Sequence, residues 1–396
     1  MDKQLIRERV RKLIPQMEQQ AFAIFDRPEC DGKEYFAAGL LADALEADGF
    51  AVERGIAGLE TAFRAVWKHG EGGPNIGILA EYDALLGIGH ACGHHMQGPA
   101  GIAAAAVIRE AALEQDIPMT LTVYGTPAEE TFGGKILMAQ AGCFSELDVA
   151  LGCHAGGKSA KVVGTSLAVA EYFVQFHGKS AHAAGSPEKG RSALDALLLT
   201  FNAIEFMREH VRPTSRMHYN IETGTGAPNA VPDSAASRIV LRSPSLTYLK
   251  EDMVPRFMDI LKGAALMTGT TYDVEESPIF EPSMPNTVLN QMAIDLFPEL
   301  GQTDFLPDPN GKAANGSTDF GNVTRIVPTG YYHTAYKDAP GHSQAWLDAG
   351  KTQAASDYMF SSASLLAMIA IELLEDPSKV AAARLDWEKR LAEETK

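Results

Sequence analysis

Apolar positions in this chain recur first at helical spacing and then in short runs. Leu5, Val10, Leu13, Ile14 and Met17 mark one helix; Tyr35, Leu40, Leu41 and Leu45 mark a second, closed by Gly49. Strands are expected over 51–56, 62–67 and 75–80. An alanine-rich helix is expected over 97–113, then a strand over 119–124, a helix over 135–141 and a strand over 148–151. Strand and helix in alternation predict an α/β fold, a mostly parallel mixed sheet with flanking helices. Past residue 170 the texture changes. A strand over 170–177, a helix over 192–211, strands over 217–222 and 235–242, a helix over 248–267 and a strand over 271–275 make a β-α-β-β-α-β set. Such a set is able to fold as an inserted, ferredoxin-like α+β unit. Pro278, Pro282 and Pro285 mark its exit. A strand is then expected over 325–329, a closing helix over 351–374, and a charged helix over the last twenty residues. The expected division is a discontinuous domain over 1–169 and 285–396 around an inserted domain over 170–284.

At 396 residues the chain exceeds one ordinary core, which agrees with two domains. Its 34 basic and 51 acidic residues give a net charge of −17, which argues against a nucleic-acid partner. Without an apolar run of roughly 18 residues, no membrane partner is expected. The start Met1-Asp2-Lys3-Gln4 is polar, and Cys30, Cys92, Cys143 and Cys153 are scattered, so the expected location is cytoplasmic.

Four segments gather metal-ligand side chains, each after an expected strand or before an expected helix. The strand ending in Glu81-Tyr82-Asp83 is followed by three histidines and a cysteine in six positions, His90 to His95. Glu129 and Glu130 follow Gly125-Thr126-Pro127-Ala128. His154 follows Gly152-Cys153, and His342 follows Pro340-Gly341. The carboxyl ends of strands are where sites form in an open α/β sheet. Of Cys92, His94, Glu129, Glu130, His154 and His342, five suffice to hold two divalent ions, leaving a carboxylate for proton transfer. Thiolate, imidazole and carboxylate together suit Zn2+ or Mn2+. Two such ions about 3.5–4 Å apart hold a bridging water, lower its pKa and polarise a carbonyl. Each residue also has an ordinary reading. A single cysteine is commonly a small buried hydrophobe, a single histidine a satisfied core or surface group. Thr126 with Glu129 and Glu130 spells a helix N-terminus. A cysteine nucleophile paired with histidine is a further use of Cys92; the carboxylates and distant histidines favour metal.

The blocks Glu81-Tyr82-Asp83-Ala84-Leu85 and Gly87-Ile88-Gly89-His90-Ala91-Cys92-Gly93-His94 resemble the aminoacylase-type metallopeptidases and amidohydrolases of peptidase family M20. The likeness is greatest to the branch with aminobenzoyl-glutamate hydrolase and β-alanyl-lysine dipeptidase. It continues through Gly125-Thr126-Pro127-Ala128-Glu129-Glu130, Gly178-Lys179-Ser180-Ala181-His182-Ala183-Ala184 and Pro228-Asn229-Ala230-Val231-Pro232-Asp233. It ends with Ser317-Thr318-Asp319-Phe320-Gly321-Asn322-Val323 and Pro340-Gly341-His342-Ser343.

This resemblance implies a zinc-peptidase-like catalytic domain and an inserted lid or dimerisation domain. Cys92 would be a bridging thiolate, with His94, Glu130, His154 and His342 completing a site for two divalent ions. Glu129 would be the general base, passing a proton from the bridging water to the leaving amine. His182 would reach a partner subunit's site and stabilise the oxyanion. Asn229 and Arg242 would contact substrate, Arg242 through a carboxylate. A homodimer or tetramer through the inserted domain is implied. The expected reaction is cleavage of a C–N amide bond in a small dipeptide or an N-acyl or N-aroyl amino acid. Hydrolytic deamination of an aromatic amine by the same site, and a catalytically silent binding or assembly protein, are the alternatives. Three departures stand out: Leu86 for proline, His95 for asparagine or aspartate, and Ala155-Gly156-Gly157 after His154 in place of proline. His95 is a candidate for changed contacts behind the ligands or for an added ligand. The aromatic run Tyr331 to Tyr336 reads as a loop, either a substrate wall or ordinary packing.

Overall fold

The computed structural model describes residues 1–224, 226–313 and 316–394. Residues 395 and 396 of the expected charged helix lie outside them. The chain forms two compact units, one of Met1–Thr165, Ser283–Ala314 and Thr318–Lys396, the other of Ser166–Pro282 and Asn315–Ser317.

Strands β1 (Ala51–Arg54), β2 (Phe63–His69), β3 (Asn75–Glu81), β4 (Met119–Thr126), β5 (Val149–Gly156), β6 (Lys161–Val162) and β11 (Thr329–Ala335) build the first unit's sheet, in the order β1-β2-β4-β3-β5-β11-β6. The four central strands, β4, β3, β5 and β11, run parallel; β1, β2 and β6 add antiparallel edges. The sheet is thus parallel where the ligand-bearing strand ends lie. Strand β3 is covered on both faces, which explains its unbroken apolar run. Helix α1 (Lys3–Phe25), α2 (Tyr35–Ala47), α3 (His94–Gln115) and α4 (Gly134–Gln140) flank it. Small residues bring α3 close: a Cβ at Gly98 would sit 2.5 Å from Leu41 Cδ1. Among the described residues, the helix Gln353–Glu375 is long and apolar enough to cross a membrane; 83% of its apolar window is buried, as in a core helix.

Of the expected boundaries that move, three carry a residue of the site with them. Helix α3 starts at His94, not at 97, because Gly93 at φ 97° turns the chain directly into it. Strand β5 runs to Gly156, so His154 lies within a strand rather than after one. The strand expected over 325–329 is found at Thr329–Ala335. A short helix Phe320–Val323 and its following turn occupy the earlier positions, and Pro328 ends them. The run Tyr331-Tyr332-His333-Thr334 has the aromatic and β-branched character that suits a strand, so it is not a loop.

In the second unit, β7 (Ala168–His177), β8 (Arg216–Tyr219), β9 (Ser234–Ser243) and β10 (Thr271–Glu276) form an antiparallel sheet in the order β10-β7-β9-β8. Helix α5 (Ala193–Arg208) and the helix Val254–Thr268 complete the expected β-α-β-β-α-β sequence. Tyr172, Val174, Phe176, Leu197, Phe257 and Leu261 belong to its own buried core.

Candidate metal centre

The site forms where parallel strands end together. The chain leaves β3 through Tyr82 and Asp83 and makes a tight turn, Leu85 pairing with Gly89. Leu86, in place of proline, is exposed at its tip. Between the donors, a Cβ at Gly93 would lie 3.0 Å from Met96 Cε and 3.1 Å from Ala155 Cβ. A left-handed φ and this crowding both demand glycine there.

Thr126 Oγ1 donates to Ala80 O at 3.2 Å, tying the end of β4 to β3. It therefore does not cap a helix, and the capping reading of Thr126 with the glutamates fails. Ala128, at φ 57°, turns the chain so that Glu129 and Glu130 enter the site. Its carbonyl accepts the N–H groups of Thr131, Gly133 and Gly134. A Cβ at Gly134 would meet Pro127 O at 2.0 Å, so the loop closes only with glycine. His342, also left-handed at φ 62°, donates its backbone N–H to Ala91 O at 3.0 Å. Non-glycine residues seldom adopt that region, and both flank the site.

Six of the expected residues are brought together. Cys92 Sγ lies 3.2 Å from His154 Nε2. His154 Nδ1 donates to Ala155 O at 2.7 Å, which leaves Nε2 facing Cys92, so the missing proline does not loosen the ring. His94 Nδ1 lies 2.8 Å from Asp83 Oδ1, leaving Nε2 as the ligand atom, and Asp83 Oδ2 accepts the Glu130 N–H at 2.9 Å. His342 Nε2 stands 3.4 Å from Glu130 Oε1. Donor atoms lie within 4.8 Å of one another in three sets: Cys92, His94 and His154; Cys92, Glu130 and His342; His94, Glu129 and Glu130. Cys92 is common to the first two.

The donor set fits divalent metal. His94 Nε2 and Glu130 Oε1 are buried, and their ion-pair partners, Glu81 Oε2 and His342 Nε2, stand at 3.5 and 3.4 Å. Burial pushes the Cys92 thiol well up, so a thiolate there calls for a nearby cation. Burial opposes the charge of Glu130 as well, but the bond with His342, with His94 and Cys92 behind it, holds that carboxyl at about 2. Glu129 moves the other way: burial, then the charges of Asp319 and Glu81, lift it well above the usual carboxylate range. One glutamate is held as a charged donor and its neighbour is inclined to take a proton.

His95 belongs to none of the three sets. Its Nε2 donates to Gly350 O at 2.9 Å and its ring packs edge-on against Phe25 at 4.9 Å, so it anchors the start of α3. Tyr332 is core, donating to Leu289 O at 3.1 Å, while Tyr331 stacks on Phe320 at 4.0 Å beside His154. The aromatic run therefore alternates between packing and the site, as a strand must. Motif reading did not assign roles to Asp83, Glu81, Lys135 and Asp319, all buried here. The signal for the first pair was present: two acids at alternate positions where a fully buried strand ends.

His182, Asn229 and Arg242 lie in the second unit. His182 is exposed; its Nδ1 accepts from the N–H groups of Ala184 at 3.2 Å and Gly185 at 3.0 Å, so Nε2 carries the proton. Asn229 is next to it, its carbonyl accepting from Ala183 N–H at 2.8 Å. Arg242, on β9, is partly buried and reaches Ser317 Oγ at 3.3 Å.

A profile of peptidase family M20/M25/M40 matches residues 81–351. Xaa-Arg dipeptidase of Mus musculus is 34% identical over 400 residues, covering 98% of this chain and 92% of its own length. A p-aminobenzoyl-glutamate hydrolase chain of Escherichia coli is 34% identical over 300 residues, covering 71% of this chain and 62% of itself. In fold, the chain resembles an aminobenzoyl-glutamate utilization protein from Klebsiella pneumoniae (TM-score 0.73, 20% identity, covering 92% of this chain and 97% of that one). It also resembles a dinuclear metal-binding M20 peptidase from Bacillus subtilis (TM-score 0.67, 16% identity, covering 92% and 99%).

Proposed function

Because the chain belongs to peptidase family M20/M25/M40, whose members hydrolyse C–N bonds, we propose that it is a metal-dependent amidohydrolase acting on a small dipeptide or an N-acyl or N-aroyl amino acid. The observation that carries this reading is Cys92, a single buried donor shared by two three-residue ligand sets. Cys92, His94, Glu130, His154 and His342 would hold two divalent ions, Mn2+ or Zn2+. When bound, these lower the pKa of water and polarise the amide carbonyl. Glu129 takes a proton from the attacking water and gives it to the leaving nitrogen as the C–N bond breaks; its raised affinity for a proton supports that relay. His182 is a suitable oxyanion donor, since its Nε2 carries hydrogen. In this reading it acts in the site of a partner subunit, within a homodimer or tetramer built through the second unit. Asn229 and Arg242 bind the substrate, Arg242 gripping its carboxylate. The relatives named for Xaa-Arg dipeptides and for p-aminobenzoyl-glutamate direct the substrate search.

The test is a panel of dipeptides and N-acyl and N-aroyl amino acids with Mn2+-loaded protein, run beside Glu129→Ala. The variant should keep its metal and lose about a hundred- to ten-thousandfold in kcat. Equal turnover in the variant would sink the role of Glu129. Absence of both metal and turnover in the unaltered chain would sink the whole reading.

A further inference from the structure

Lys135 is the second residue of α4, five positions after Glu130, and its side chain is wholly buried. Nζ lies 2.7 Å from Asp319 Oδ1 and 2.5 Å from Glu81 Oε1. The backbone N–H of Lys135 also donates to Asp319 Oδ2, at 2.9 Å. One carboxylate therefore grips both ends of the residue. Glu81, the last residue of β3, turns its other oxygen toward His94 Nε2 at 3.5 Å. Glu81, Lys135, His94 and Asp319 are each at most 1% exposed.

As a stabilising device this cluster is poor. Buried ion pairs at best roughly balance their desolvation, and apolar side chains of equal volume often do better. What the cluster does is join three segments at one point. The loop Pro127 to Gly134, which carries Glu129 and Glu130, is tied at its near end by Thr126 to Ala80. Its far end is fixed where Lys135 meets Asp319 and Glu81. The field of the ammonium also reaches Glu129.

We propose that Lys135 is a positioning residue: clamped by Asp319 and Glu81, it fixes the loop that presents Glu129 to the reacting amide. This rests on the role of Glu129 proposed above. A displacement of about 1 Å in a catalytic group costs on the order of a hundredfold in rate, with little need for any change in substrate binding.

Lys135→Met keeps most of the side chain's length and removes the charge. It should lower kcat about ten- to a thousandfold, change KM less than about threefold, and leave metal content per chain, by elemental analysis, unchanged. Because it strands Glu81 and Asp319 as unpaired buried charges, Asp319→Asn is made beside it. That variant keeps an acceptor for the Lys135 N–H and weakens the Nζ contact; it should lose about tenfold in kcat, with KM and metal again unchanged. A folded form of either variant with kcat within about twofold of the unaltered chain overturns the proposal. So does a loss of kcat that merely tracks loss of metal. In a Glu129→Gln background, Lys135→Met should lower the residual kcat by less than about threefold, since the group it positions is already lost. A fully multiplicative loss there means general damage and overturns it. If Glu129→Gln is as active as the unaltered chain, the role of Glu129 falls and this inference with it. If Glu129→Gln is inactive while Lys135→Met is unimpaired, only this inference falls.

Discussion

In the first unit, His94 Nε2 and Glu130 Oε1 are buried atoms that meet long ion-pair contacts, Glu81 at 3.5 Å and His342 at 3.4 Å; in the second, His182 is exposed and its Nδ1 already accepts two backbone N–H groups. A buried polar atom left unpaired costs about 1–3 kcal/mol. Two such atoms in one cluster, with strand ends, glycines and left-handed turns holding them, make a site that a metal ion would satisfy better than its present neighbours do. An exposed histidine with a filled acceptor requires nothing. Physical chemistry thus argues for metal in the first unit on its own terms. In the second, the functional weight of His182, Asn229 and Arg242 comes from their place in matched motifs.

The contrast breaks most readily at Cys92. Cys92→Ala removes the donor common to two ligand sets and should cost at least about a thousandfold in kcat, with metal content falling in parallel, because metal contributes several kcal/mol to such reactions. Full activity with full metal would show that the buried cluster is not the metal centre. His182→Ala should cost about a hundred- to a thousandfold in kcat while metal content stays constant. Activity within twofold of the unaltered chain would leave the second unit without a catalytic part. The smallest effect separates buried groups that serve stability from those that serve a ligand. Glu34 is buried but partnered, accepting from Gly32 N–H at 2.9 Å and Thr61 Oγ1 at 3.1 Å. Burial raises its pKa from 4.5 to about 7. The folded chain therefore holds this proton more tightly than the unfolded chain. The stability it contributes is full below about 4.5 and is lost as pH rises through about 7. Thermal melts of Glu34→Gln should flatten that slope by a few degrees in Tm, with kcat unchanged. An undiminished slope would mean that another group sets it.

Much of this was legible in the sequence. Alternating strands and helices gave the sheet, and the change of texture near residue 170 gave the β-α-β-β-α-β set. Glycine-flanked Cys92 and His94 pointed to metal because such a sequence has little packing value. What escaped depends on distance along the chain or on strand phase. Lys135 in an apolar helix reads as a solvated charge until Asp319, 184 positions away, is placed on it. The register that sets His333 beside His154 is a property of β11 and β5 together. Reading β11 four residues early placed Tyr331 and His333 in a loop, and so hid which side chains of that run meet the site and which meet the core.

The second unit's main segment, Ser166–Pro282, interrupts the first, with a consequence for synthesis. At about 5–20 residues per second, a ribosome spends roughly ten seconds on that segment before it reaches β11 and His342. Throughout that interval the nascent chain already exposes Cys92, His94, Glu129, Glu130 and His154 without the strand that completes their sheet. The second unit has its own core and can finish folding first. In the reading proposed above, metal capture at full affinity would then be a late event, gated by the arrival of the last strand.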